Sequence, residues 1–277
     1  MPYQFNNSKV RCIPNEFEKD CRKTVIQSNL LSQQLEYPSK KDVLTSTERK
    51  LILYLIAQVK PYDSNFVPCK ISMNYLARIL NVTITGGFAW DHYIKMLINL
   101  SDKYFSILNR RLHRLRWIKP VGFDPHNRTV TLCLHEDMRL FIMIPYHSGK
   151  TIFAYGNVMN LRRKHSVTLY LLLRSAKQIK QWNEPMRHFA GLIGYAYSRF
   201  SDIEERVLIP CLEEINRETD IFVKYQVEIR KRKVVTIKFE IQHNIKEILE
   251  QRKKEKMEVN AELEAMDQML LQDNKER

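Results

Sequence analysis

The sequence predicts an α+β, helix-rich fold: two tandem winged helices followed by a charged C-terminal helix. Three observations lead there. The order helix, helix, helix, hairpin occurs twice along the chain. "YLARILN" (75–81) matches "HFAGLIG" (188–194) at an offset of 113 residues, and the closing strand "TVTLCL" is echoed by "VVTIKF". Both hairpins carry clustered Lys and Arg. Three helices with a short strand and a hairpin describe a helix-turn-helix bearing a β-wing.

Taken in order, residues 1–24 are polar and irregular and read as a flexible N-terminal arm. "VIQSNLLSQQL" suggests a short helix. Thr45 and Glu48 have the spacing of a capping box ahead of apolar residues at 51, 52, 55, 56 and 59, which predicts a core helix that Pro61 terminates. "NFVPCKIS" reads as a short strand ending at Ser72, an N-cap for "MNYLARILN". After Gly86-Gly87 a longer helix is expected from about Phe88 to Ser101, then one β-hairpin built from "YFSILNRRLHRLRWIKPVGF" and "TVTLCL" around "DPHNR". The second unit repeats the order. "SVTLYLLLRSAKQI" is its core helix, Glu184-Pro185 opens the next, and the third runs from about Ser201 to Asn216 with a kink expected at Pro210. Strands "IFVKYQVEI" and "VVTIKFEI" flank the tip "RKRK". In 246–277, Val259, Leu263, Met266 and Leu270 have helical spacing on a charge-rich face. The expected division is 1–24 arm, 25–148 first winged helix, 149–245 second, and 246–277 tail.

Charge points to the partner. The chain has 45 Lys+Arg against 31 Asp+Glu, net +14, whereas 246–277 alone is net −2, so the basic excess lies on the two repeats. Such an excess calls for a polyanion, and double-stranded DNA suits a helix-turn-helix. No apolar run is long enough for a bilayer and no leader pattern opens the chain, so a membrane partner is not expected. Cys12, Cys21, Cys69, Cys133 and Cys211 form no C-x-x-C pair, which fits a reducing cytoplasm. The eight His show no ligand spacing, so neither metal nor cofactor is expected.

"HSGKT" (147–151) resembles the end of a phosphate-binding loop, and a nucleotide-driven enzyme is the reading it would imply. The loop needs a Gly at 144 and a helix directly after it. Ile144 and Pro145 occupy the cradle, and "TIFAYGNV" is not a helix start. No catalytic residues are identified, and the chain is not expected to be an enzyme.

Two helix faces and two hairpins are the candidate DNA contacts. At a 3.6 period Ile203, Val207, Cys211 and Ile215 form the buried stripe of the second unit's third helix, leaving Arg199, Asp202, Arg206, Glu213 and Asn216 opposite. Arg206 can grip a guanine edge with two hydrogen bonds, with Asp202 orienting it and Ser198 and Arg199 at the helix start completing the set. Lys231, Arg232 and Lys233 at the wing tip suit phosphates, beside Arg230. In the first unit Trp90, Tyr93, Ile94, Leu97 and Leu100 face inward, while His92, Lys95, Asn99 and Lys103 face out. Arg110, Arg111, Arg114, Arg116 and Arg128 load its hairpin.

These residues resemble a family, the theta-type, iteron-binding plasmid replication initiators of the RepA/RepE/Pi class. The resemblance spans about 25–242. It rests on "SNLL" (28–31), on "HSVTLYLLL" (165–173), and above all on "RFSDIEERVLIPCLEEINRETDIFVKYQ" (199–226), with "VVTIKFEI" closing it. His165, Thr168 and Ala154 depart from the family pattern near the domain junction. The resemblance implies binding to repeated origin DNA, recruitment of a host initiator ATPase and the replicative helicase, and location with plasmid DNA in the bacterial cytoplasm. It also implies a dimer, paired through the first winged helix, that represses the protein's own promoter. A winged-helix transcription regulator without an initiation role is the alternative.

Overall fold

The computed structural model describes residues 11–12, 17–60, 63–82, 87–107, 112–143, 149–177, 180–192 and 199–244. In chain order these form β1 (Arg11–Cys12), α1 (Phe17–Arg22), β2 (Thr24–Ser28), α2 (Leu30–Gln33) and β3 (Leu35–Glu36). A 3₁₀ turn (Lys40–Asp42) leads to α3 (Ser46–Ala57), β4 (Cys69–Ser72), α4 (Met73–Ile79) and α5 (Gly87–Ser101). Then come β5 (Tyr104–Ile107), β6 (Leu112–Arg116), β7 (Gly122–Asp124), β8 (Thr129–Leu132), α6 (Arg139–Ile142), β9 (Lys150–Ala154) and α7 (Gly156–Met159). The second unit is α8 (Ser166–Ala176), β10 (Gln181–Pro185), α9 (Met186–Leu192), α10 (Phe200–Ile203), a π-helical turn (Glu204–Leu208), α11 (Ile209–Glu218), β11 (Ile221–Arg230) and β12 (Lys233–His243).

The repeat is real in three dimensions. α4 and α9 correspond at both ends at the offset of 113 read from sequence. In the first unit the sheet runs β1-β4-β8-β7, and in the second β10-β12-β11. In each, the short strand before the second helix pairs antiparallel with the last wing strand, which pairs with the other wing strand. α3 starts as its sequence dictates. Thr45 Oγ1 accepts from the Glu48 amide at 3.2 Å, and Glu48 Oε2 accepts from the Thr45 amide at 2.8 Å. Ser72 caps α4 by accepting from the Tyr75 amide. The cores are α3 (Leu51 to Ile56) and α8 (Leu169 to Leu173), whose apolar residues are nearly all sealed from water. Burial of each such side chain favours folding by about 1.5–3 kcal/mol.

Four expectations are corrected. The first unit's hairpin is two hairpins. β5–β6 joins β3 in a separate sheet, inserted between α5 and the true wing β7–β8. "TVIQS" is strand β2, not helix, because Val25 and Ile26 pair with Phe153 and Ile152 of β9. Part of the expected loose arm is docked: α1 buries Asp20, which accepts from Tyr54 Oη (2.9 Å) and Tyr75 Oη (2.6 Å). Two hydroxyl donors and the Lys23 ion pair compensate the buried charge. "QWNEP" is strand β10, so Glu184-Pro185, expected to open the helix, ends the strand before α9. The helical tail expected at 246–277 lies outside the described residues.

The boundary expected at 149 falls just before β9, which is hydrogen-bonded along its length to β2. Gly149-Lys150-Thr151 therefore opens a strand and not the helix a phosphate loop requires. Gly149 has φ +73°, and a Cβ there would stand 2.8 Å from Asn29 Nδ2, so glycine fits this turn. Polar contacts tie α7 to α3 and the second unit to the first. Lys50 Nζ of α3 donates to the Met159 carbonyl at 2.8 Å, and Gln33 Nε2 of α2 donates to Ser175 Oγ of α8 at 3.1 Å.

Candidate nucleic-acid interface

The second unit's third helix departs from a plain α-helix where it matters. Pro210 has no N–H to give the carbonyl of residue 206, and its ring crowds that carbonyl. The chain answers with the π-helical turn Glu204–Leu208, in which the Ile209 amide donates to Glu204 O five residues back, and α11 restarts with Pro210 in its first turn. The expected kink is thus a π-bulge. Ile203, Val207, Cys211 and Ile215 are buried as expected, joined by Leu208 and Leu212.

Opposite them Arg199, Arg206 and Glu213 are exposed and Asp202 is half-exposed. Asn216, expected on the same face, is a structural bracket instead. Its Nδ2 donates to Val223 O (2.9 Å) and its Oδ1 accepts from the Val223 amide (2.7 Å), fixing β11 to the helix. Tyr225 Oη of β11 donates to Glu204 Oε1 of the π turn at 2.7 Å. Burial, reinforced by that carboxylate, pushes the phenol up to about 12. Wing and helix are therefore held as one surface.

At the wing tip Lys231 (φ 48°) and Arg232 (φ 64°) form a two-residue turn with both residues left-handed. Asn-Gly is the sequence that such a turn favours. A Lys-Arg pair there bears backbone strain and points its charges outward. Lys231, Arg232 and Lys233 are exposed, and among the described residues no carboxylate pairs with them. Arg230 is held by Glu228 at 2.7 Å.

The first unit divides its candidates. Lys95, Asn99 and His92 are exposed on α5 along a groove of about 770 Å³ that also includes Lys41 of the 3₁₀ turn and Thr47 at the start of α3. Lys103 lines that groove but is a correction. Its ammonium donates to Glu48 Oε2 at 2.7 Å and to Val43 O at 2.9 Å, neutralising the buried capping-box carboxylate. Arg114 belongs to a different groove, of about 670 Å³, between β3, the β5–β6 hairpin and α9, with its guanidinium 4.9 Å above the Tyr104 ring. Arg116 is bound to Tyr104 Oη, and Arg128 leans on Trp90. Arg110, Arg111 and Ser198 lie outside the described residues.

Sequence reasoning passes over one basic segment. Arg162, Arg163 and Lys164 are exposed ahead of α8. Their loop is pinned to α11 because buried Glu214 accepts from the Arg162 and Arg163 amides at 2.9 and 3.2 Å. The signal is the run "RRK" before a core helix.

Two family models match, "Initiator Replication protein, WH1" over residues 24–174 and "Initiator Rep protein, WH2" over 184–241. The chain belongs to the replication-initiator protein family. Its tandem winged helices are the two domains by which that family is defined, so the regulator fold without an initiator module is set aside. The fold is also similar to a solved structure described as the Pi initiator protein in complex with iteron DNA. The TM-score is 0.64 at 17% identity, covering 80% of this chain and 97% of that one. No curated protein sequence matches. Among the described residues no helix is long and apolar enough to cross a membrane.

Proposed function

We propose that this initiator starts plasmid replication by binding repeated origin sites sequence-specifically, one winged helix in each of two successive major grooves. The observation that carries the reading is the surface of the second unit. Exposed Arg206 and Arg199 stand on a helix locked by Tyr225 and Asn216 to a wing whose tip presents three cations. The helix is placed to read base edges and the tip to hold phosphates. The likeness to a protein solved on iteron DNA supports the same reading.

Site by site, Arg199, Asp202 and Arg206 read the second half-site, with Ser198 beside them. Lys95 and Asn99 read the first, and Arg110 and Arg111 supply phosphate contacts. Bound monomers distort the origin and recruit a host initiator ATPase and the replicative helicase in the cytoplasm. A dimer paired through the first unit represses the promoter. The protein acts by binding alone and needs no nucleotide. Footprinting on the DNA flanking its gene, together with a plasmid-maintenance assay, tests this. Protected tandem repeats whose deletion abolishes maintenance are expected. Protection of a promoter only, with maintenance intact, would return the reading to a regulator.

A further inference from the structure

The two third helices share a surface pattern that neither needs in order to fold. On α5 and just beyond it stand Asp91, Lys95, Ile98 and Asp102. On the α10–α11 rod stand Asp202, Arg206, Ile209 and Glu213, each 111 residues after its counterpart. The order in both is a carboxylate, a cation four residues on, an isoleucine three further, and a carboxylate four after that.

The structure puts both versions on the outer face. Ile98 keeps 48% of its surface exposed and Ile209 43%, and neither joins the core. A single exposed apolar residue is ordinary on a protein surface. The same one at the same place in the same charge pattern, on both recognition helices, is not. A β-branched residue is a weak helix former, and neither isoleucine belongs to the core, so the core gives no reason for it. Solvated helix faces also tend to close acid–base pairs at four-residue spacing. Among the described residues neither Lys95 nor Arg206 is held in an ion pair, although Asp91 and Asp202 stand at that spacing.

We propose that Ile98 and Ile209 are specificity-determining residues, each resting on the 5-methyl group of a thymine. The two winged helices then read half-sites that share a guanine–thymine pattern. The inference rests on the DNA-reading function above. In the major groove thymine presents a methyl where cytosine presents only hydrogen, and an apolar side chain recognises it without a hydrogen-bonding partner. On α5 the cation three residues before the isoleucine lies about 5–6 Å away on the same helix face, whereas the π turn Glu204–Leu208 widens the step from Arg206 to Ile209. With base pairs about 3.4 Å apart, the guanine edge the cation grips lies one or two pairs from that thymine.

The test uses the full chain. Selection from random duplexes first defines the bound sequence. Each thymine of that site is then replaced singly by deoxyuridine, which removes only the methyl, and the affinities of wild type, Ile98→Ala and Ile209→Ala are compared. One thymine in each half-site should cost wild type about fourfold, the worth of one buried methyl group. Ile98→Ala should abolish that penalty in one half-site and Ile209→Ala in the other, with melting curves like wild type since both side chains are exposed. Wild type indifferent to uracil throughout a sequence it selects overturns the inference and leaves the function standing. Alanine variants that keep every uracil penalty overturn it as well. Failure to select any sequence removes the function and the inference together, and is seen before uracil is introduced.

Discussion

The wing tip allows charge to be removed while the fold is improved. Lys231→Asn with Arg232→Gly replaces two left-handed cationic residues (φ 48° and 64°) by the pair such a turn favours. Relief of left-handed strain at position 232 should stabilise the protein by about 1 kcal/mol, with a smaller gain at 231, where Asn tolerates the conformation better than Lys. DNA binding should move the opposite way. Each phosphate left without its cation lowers the salt dependence of log K by about 0.9, so removing both cations flattens it by about 1.8. At 0.1 M salt that corresponds to roughly a sixtyfold weaker complex. The assay is a fluorescence-anisotropy titration from 50 to 300 mM salt on the cognate repeat and on a scrambled duplex (about the range over which such slopes are resolved), alongside a thermal melt. Parallel losses on both duplexes with a raised melting temperature are expected. A loss confined to the cognate duplex would show that the tip reads bases, and an unchanged slope would show that it touches no DNA.

Three further predictions follow from the same surfaces. Arg206→Ala should cost ~1–3 kcal/mol on the cognate site and relax discrimination at one base pair while leaving scrambled DNA unaffected; equal weakening on both duplexes refutes it. Asn216→Ala loses both hydrogen bonds to Val223 and should destabilise the protein by about 1–3 kcal/mol in urea melts. The salt slope of the remaining folded protein should be unchanged, and a changed slope would put Asn216 back on the DNA face. Burial pulls the Lys50 ammonium from 10.5 down to about 8, with Glu214 opposing and Arg162 adding to the shift. The unfolded chain thus keeps a proton that the folded one releases, so stability should rise between about pH 8 and 10.5, by up to ~3 kcal/mol. Lys50→Met should lack that rise, and identical pH profiles for the two proteins refute it.

Much of this fold is legible from local sequence because its signals are local. Thr45 and Glu48 declare the start of α3 through a reciprocal pair three residues apart, and the α4/α9 match survives because both helices pack the same face. β2 escapes such a reading because its strand character comes from Phe153 and Ile152, more than a hundred residues away, while its own five residues adjoin a helix-like run. Parts of the site escape it in the same way. Lys103 and Asn216 sit on faces that periodicity assigns to solvent, yet their partners, Glu48 and Val223, belong to other elements. A 3.6-residue projection also cannot represent the π turn at Glu204–Leu208, which only the missing N–H of Pro210 announces. Arg206 and the wing tip are readable because nothing in the fold claims them.

The central claim, two winged helices reading one repeat, is tested most directly by methylation protection of guanine N7 on a single origin repeat bound by one monomer. The account predicts two protected patches about 10 base pairs apart on one face of the duplex, since successive major grooves are one helical turn apart. Arg206→Ala should remove protection in one patch alone. A single patch, unchanged by Arg206→Ala, would contradict it.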